Sequence, residues 1–197
     1  MIKAIVFDFS GVLAFPGNFD KFAEDFAKKS GKNVKDVHKE FHIFWQDWKV
    51  GKINFDFVID GIINIFELDN TYKDWIKKYF ISYYTFNKPM MEFVQSIKGK
   101  YQLYVLSNHT SELYWSFSKK FELNTIFDDE YISCDMGLAK PHKEIFEVFL
   151  KKTNLKANEC IFIDNQDWNL VEPKKLGFHV VYYEVFDKFE KDMNKLL

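Results

Sequence analysis

Arginine is missing from this chain, so all 27 of its basic side chains are lysines. Any phosphate bound here must be held by ammonium groups and backbone N–H groups, without the bidentate fork of a guanidinium. Cysteine is scarce: Cys134 and Cys160 are too few for a disulfide framework and match no metal-binding spacing. Both lie in or beside apolar, strand-like runs and read as buried free thiols. Charge of one sign is not in excess, since 29 acids against 27 bases leave a formal net charge of −2. That excludes the basic footprint of a nucleic-acid binder or of a protein drawn to anionic membrane. No apolar run approaches a membrane span, and the run after Met1 meets Asp8 too soon for a signal peptide. A soluble, cytoplasmic chain without internal repeats or low-complexity linkers is therefore expected. Apolar material is plentiful: 47% of the 197 residues are hydrophobic and 23 are Phe, enough for a sizeable core. The length suits one domain, or one domain carrying a modest insertion.

Residues 2–7 form a short apolar, partly β-branched run closed by Asp8, with Gly11 allowing a tight turn just after. This pattern reads as a buried strand of a parallel sheet. An acid at that strand's C-terminal end stands where open α/β sheets gather ligand chemistry, or it merely caps the following turn. Three later segments bear on that choice.

Phe15-Pro16-Gly17-Asn18 is a turn cluster, and residues 19–86 then read as amphipathic helix without a convincing strand. Phe19, Phe22, Ala23 and Phe26 share one face. Val34, Val37, His38, Phe41, Phe44, Trp45 and Trp48 share another, and residues 56–66 and 71–86 give two further helical stretches. From Pro89 onward helix alternates with strand. Strands are expected at 102–106, 126–132, 160–163 and 179–183, with helices at 90–97, 111–121, 141–152 and 170–176 and a charged helical tail. Pro141 is placed in the first turn of its helix. The fold class is α/β: a Rossmann-like parallel sheet with helices on both faces, plus a small helical cap inserted after the first strand. Residues 1–15 and 87–197 would form the core, and 16–86 the cap.

Three strands end in polar residues: Asp8, Ser107-Asn108 and Asp164, and a fourth element presents Lys140 just before Pro141. Gathered at one sheet edge, these supply a carboxylate nucleophile, a hydroxyl and an amide for phosphate oxygens, a balancing ammonium and a second carboxylate for a metal. Read together, the segments Phe7-Asp8-Phe9-Ser10-Gly11-Val12-Leu13, Leu106-Ser107-Asn108, Gly137-Leu138-Ala139-Lys140-Pro141 and Ile163-Asp164-Asn165 resemble, in order, the four motifs of the haloacid dehalogenase superfamily. The likeness spans nearly the whole chain, and the wording of the first two motifs is nearest the epoxide-hydrolase-like and sugar-phosphatase-like branch. The inserted helices resemble the cap many members carry.

The resemblance implies a magnesium-dependent phosphatase in which Asp8 attacks phosphorus to form an aspartyl phosphate that water hydrolyses. Asp8, the backbone carbonyl of Ser10 and Asp164 would hold Mg²⁺. Ser107, Asn108, Gly11 and Lys140 would meet the phosphate, with Asn108 mainly orienting its loop. Two positions depart from the family pattern. Where an acid/base Asp usually follows the nucleophile by two residues, this chain has Ser10, whose hydroxyl is no acid or base near neutral pH. General acid–base catalysis is worth roughly 10²–10⁴-fold, so slow turnover is expected. Asn165 stands where a second acid is common and lends a metal no charge; Asp167 compensates for it or caps the next helix. His109 is a candidate proton-transfer group but reads better as a helix-start residue facing solvent, and His142 as a helix start. Phe15, Trp45 and Trp48, with Lys49 or Lys52, are candidates for the cap's side of the cleft, while core packing of the cap explains Trp45 and Trp48 equally well. A small phosphorylated substrate is the expected partner. The alternative is a weak or silent relative that binds a phosphorylated ligand or a protein. A dehalogenase is disfavoured because its halide site uses Arg, and a phosphonatase because no Schiff-base Lys is evident.

Overall fold

The computed structural model describes residues 1–197. The first strand, β1 (Ala4–Phe7), is followed by the two-residue β2 (Ala14–Phe15). Four helices come next: α1 (Asp20–Ser30), α2 (Val34–Trp48), α3 (Phe55–Ile65) and α4 (Thr71–Ile81). The chain returns through β3 (Thr85–Phe86) to α5 (Lys88–Ile97), β4 (Gln102–Ser107), α6 (Ser111–Lys120) and β5 (Asp129–Ile132). It closes with α7 (Ser133–Met136), α8 (Lys143–Thr153), β6 (Cys160–Asp164), α9 (Val171–Leu176), β7 (His179–Tyr182) and α10 (Phe186–Met193). No helix is long and apolar enough to cross a membrane.

The main sheet has five parallel strands in the order β5-β4-β1-β6-β7. All four residues of β1 are buried, because successive side chains enter opposite faces and each face is covered. Ile5 and Phe7 join Leu103, Val105, Ile161 and Ile163 in one apolar cluster with residues of α5, α6 and α10. Ala4 and Val6 join Tyr104, Leu106 and Phe162 in another, against Ile145, Phe146 and Phe149 of α8. The parallel register pairs Phe7 with both Val105 and Ile163, so the loops after β1, β4 and β6 open at the same edge.

The four inserted helices have an apolar cluster of their own, built on Phe22, Phe26, Phe41, Trp48, Ile59 and Ile62. Asn33 and Asn54 cap α2 and α3, accepting from Lys35 N–H and Phe57 N–H. The bundle touches the sheet domain at two polar points: Ser133 Oγ donates to the Lys49 carbonyl at 2.6 Å, and Phe55 N–H to Glu112 at 3.2 Å. At Gly51, with φ +73°, an added Cβ would lie 2.6 Å from the Cys134 carbonyl, so only glycine fits this approach. Ile59 is fully buried in the bundle. Ile59→Val therefore costs about 1 kcal/mol of stability. Differential scanning calorimetry would register a midpoint lower by roughly 2–4 °C.

Several local expectations are corrected. The expected helix over 71–86 ends at Ile81, and the chain then pairs β3 with β2, antiparallel, a link between segments 70 residues apart that periodicity does not reveal. The helix expected from Pro141 starts instead at Lys143, because Pro141 lies in a turn closed by His142 N–H to the Ala139 carbonyl at 3.1 Å. Val34 and His38 are exposed rather than packed with Val37 and Phe41. Both cysteines are free, Cys160 buried and Cys134 partly so.

Candidate active site

Asp8, Ser107-Asn108 and Asp164 lie where β1, β4 and β6 run out, and the loop after α7 brings Lys140 among them. The Lys140 ammonium stands between two carboxylates, 2.9 Å from Asp8 Oδ1 and 2.6 Å from Asp164 Oδ2. All three are buried, Lys140 to 1% exposure and Asp164 to 0%. Burial opposes the charge on Lys140, but Asp164 and Asp8 together outweigh it and push its pKa up. Burial also raises the Asp164 carboxyl, to about 6; the Lys140 charge opposes that rise, and the nearby Asp8 charge adds to it.

The frame around this triad is polar and specific. Both amide atoms of Asn108 are bonded to the Lys140 backbone, Nδ2 donating to its carbonyl and Oδ1 accepting its N–H, each at 2.8 Å. Asn108 thus orients the Lys140 loop. Asn169 Nδ2 lies 3.1 and 3.2 Å from the Asp164 oxygens, and Gln166 N–H donates to Oδ1 at 2.8 Å. Asp167, expected as a compensating acid or cap, is exposed and caps nothing. Gly11 adopts φ +87°, and a Cβ there would fall 2.2 Å from Asn165 Nδ2, so the turn after β1 needs glycine for conformation and for space. Ser107 Oγ and Asn165 Oδ1 are buried without a hydrogen-bond partner. Unpaired polar atoms beside buried charges are what a phosphate and a cation would satisfy.

Asp8, Asp164 and the Ser10 carbonyl would make an all-oxygen donor set, which suits Mg²⁺ by hardness. No group of three or more His, Cys, Asp or Glu residues comes together here or elsewhere. The two buried carboxylates and the unpartnered Asn165 oxygen fit a cation held by two carboxylates and uncharged oxygens, with Asn165 adding no charge.

Above the triad is a cleft of about 470 Å³ whose opposite wall is supplied by the helical bundle. Trp45 and Lys49 face it as expected, together with His38, His42 and Gln46. These last three repeat at i, i+4 and i+8 on α2, a polar stripe that periodicity could have exposed. His38 Nε2 is 2.9 Å from Asp20 Oδ1, and Lys49 Nζ donates to Gln46 Oε1 at 2.9 Å. Trp48 lies in the bundle core instead, Lys52 pairs with Asp47, and Phe15 faces a separate hollow beside Lys21. A larger depression of about 860 Å³ sits at the other end of β1 and β4. Its one acid, Asp128, is engaged by Leu103 N–H at 2.7 Å, and it carries no comparable chemistry.

His109 is not a solvent-facing helix start: it is 3% exposed, ringed by Phe9, Tyr84 and Tyr114. Burial lowers its pKa to about 4, so the imidazole is neutral. Nδ1 lies 2.9 Å from the Thr110 N–H and 3.1 Å from the Thr110 carbonyl, and Nε2 lies 3.1 Å from the Tyr84 hydroxyl, so the direction of that last bond follows the ring tautomer. Ser10 Oγ in turn donates to the same hydroxyl at 3.2 Å. Tyr84, just before β3 where the chain returns from the helical bundle, is not legible as a site residue because no motif contains it.

A capped α/β hydrolase with its acids at the C-terminal edge of a parallel sheet is the class this fold and site define. The family model of haloacid dehalogenase-like hydrolases matches residues 2–177, and the chain belongs to that family. It is 24% identical to D-ribitol-5-phosphate phosphatase of Bacteroides thetaiotaomicron, covering 100% of this chain and 99% of the relative. Among solved structures, a haloacid dehalogenase family enzyme of the same organism, complexed with magnesium and inorganic phosphate, superposes with TM-score 0.81 at 23% identity, covering 93% of this chain and 95% of that one. A predicted family hydrolase from Porphyromonas gingivalis gives TM-score 0.82 at 22% identity over 100% and 98% of the two chains.

Proposed function

We propose that this hydrolase is a magnesium-dependent phosphatase of a small phosphorylated metabolite. The reading rests on one observation above all: a buried lysine clamped between Asp8 and Asp164, at the sheet edge where β4 ends in a buried Ser107 hydroxyl with no partner. Residues 1–15 and 87–197 act as the catalytic core, and 16–86 as the cap that limits access to small substrates. The polar cap wall and the likeness to a polyol-phosphate phosphatase favour a phosphorylated sugar or polyol.

Asp8 attacks phosphorus, its new oxygen–phosphorus bond forming as the bond to the leaving oxygen breaks, and water then hydrolyses the aspartyl phosphate. Lys140 and Ser107 hold the transferring phosphoryl group, the ammonium offsetting its charge. Asp8, Asp164 and the Ser10 carbonyl would hold Mg²⁺, which supplies further positive charge toward the phosphate oxygens.

The test is hydrolysis of an aryl phosphate with and without magnesium. Turnover that needs the metal supports the reading; none at any magnesium concentration overturns it in favour of a ligand-binding relative. In the same assay Ser10→Asp raises turnover of alkyl phosphate esters by roughly 10-fold or more, since it restores a carboxylate where proton transfer is worth about 10²–10⁴-fold. An unchanged rate with magnesium still bound would mean that another group already supplies that proton.

A further inference from the structure

We propose that Tyr84 is the proton donor to the leaving group, acting where this chain lacks the carboxylate at position 10. The inference rests on the phosphatase reading and adds a residue to it. Tyr84 lines the cleft together with Asp8, Ser10 and Lys140. Its hydroxyl oxygen accepts a hydrogen bond from Ser10 Oγ at 3.2 Å and lies 3.1 Å from His109 Nε2. His109 Nδ1 is within reach of both the Thr110 N–H at 2.9 Å and the Thr110 carbonyl at 3.1 Å; with the ring proton on Nε2, both neighbours donate to the phenol oxygen and the phenol proton turns to the cleft. The ring is fixed by edge contacts with Phe9, Tyr83 and Phe117, at centroid distances of 5.3, 5.2 and 5.7 Å.

The proton then moves as follows. In the first step the Asp8 oxygen bonds phosphorus, and the leaving oxygen departs with the electron pair of its bond. That oxygen takes the Tyr84 proton, leaving a tyrosinate stabilised by the two donors already aimed at it. In the second step water bonds phosphorus and the bond from Asp8 breaks. The proton lost by that water returns to Tyr84, and the site is reset. With its proton on Nε2, His109 acts as a positioning residue, because that nitrogen reaches only the phenol oxygen. The arrangement also gives Ser10 a task its own hydroxyl chemistry permits: donating a hydrogen bond to an oxyanion.

A leaving-group comparison tests this. An alkoxide needs a proton to depart, whereas a nitrophenolate does not. For Tyr84→Phe, kcat/KM on glycerol 3-phosphate and a pentitol phosphate falls at least about 10²-fold further than on 4-nitrophenyl phosphate. Adding Ser10→Asp to Tyr84→Phe restores much of the alkyl-ester rate, because a carboxylate again stands beside the leaving oxygen. Equal losses on both kinds of ester would mark a structural effect and overturn the role. Wild-type turnover of the aryl ester but of neither alkyl ester would also overturn it while leaving the phosphatase reading intact. Failure of the wild type on all three esters would remove both.

Discussion

Asp8→Asn reduces magnesium-supported hydrolysis of aryl phosphates by about 10⁶-fold, the scale seen when a covalent nucleophile is removed. Asparagine matches aspartate in size and retains one oxygen that can still accept from Lys140. The amide, however, cannot form the bond to phosphorus. Protein quenched in acid during turnover with labelled substrate carries phosphate on the wild-type chain and none on Asp8→Asn. A variant retaining more than a thousandth of the wild-type rate would mean that another group attacks phosphorus, and the assignment of Asp8 would be withdrawn.

Lys140→Met has the second large effect, and it falls on stability as well as on rate. Lys140 is the only cation between two buried carboxylates, and methionine fills its volume without its charge. Removing one partner of a buried ionic group is worth about 3–5 kcal/mol. The midpoint of metal-free unfolding is expected to drop by on the order of 10 °C. The loss depends on pH in a definite sense. Asp164 is already raised to about 6 by burial, and without Lys140 it rises further. A carboxyl whose folded pKa lies above its unfolded value binds more protons folded than unfolded. Stability therefore declines as pH climbs from the unfolded value through the folded one. The variant's penalty is thus smaller at pH 5 than at pH 8, and magnesium recovers part of it at pH 8. A penalty independent of pH and magnesium would show that Lys140 does not balance the two carboxylates.

Much of this site could be read from the chain because its groups follow strands that announce themselves. The apolar run 2–7 ends in Asp8 and the run 160–163 in Asp164, and any parallel sheet brings such strand ends to one edge. Lys140 was recognisable by its motif. What made it functional, burial to 1% exposure between two acids, is a property of the assembled core. His109 departs from expectation because a helix-start position usually faces water, whereas here the segment returning from the helical bundle lays Tyr84 across it. Spacing leaves Trp48 open between cleft and bundle core, and the substrate-facing lysine open between Lys49 and Lys52, because it cannot say which face of α2 meets the sheet domain.

By itself, then, the sequence determined the layer order, the insertion of helices after the first strand and the four polar strand or loop ends, since all of these follow from local periodicity and short motifs. Tertiary structure alone decided which side of α2 walls the cleft, where the β2–β3 link lies and that Ser10, Tyr84 and His109 form one hydrogen-bonded chain. Those features join residues 74 and 25 positions apart, and contacts at such separations depend on how the packed layers meet rather than on any pattern along the chain.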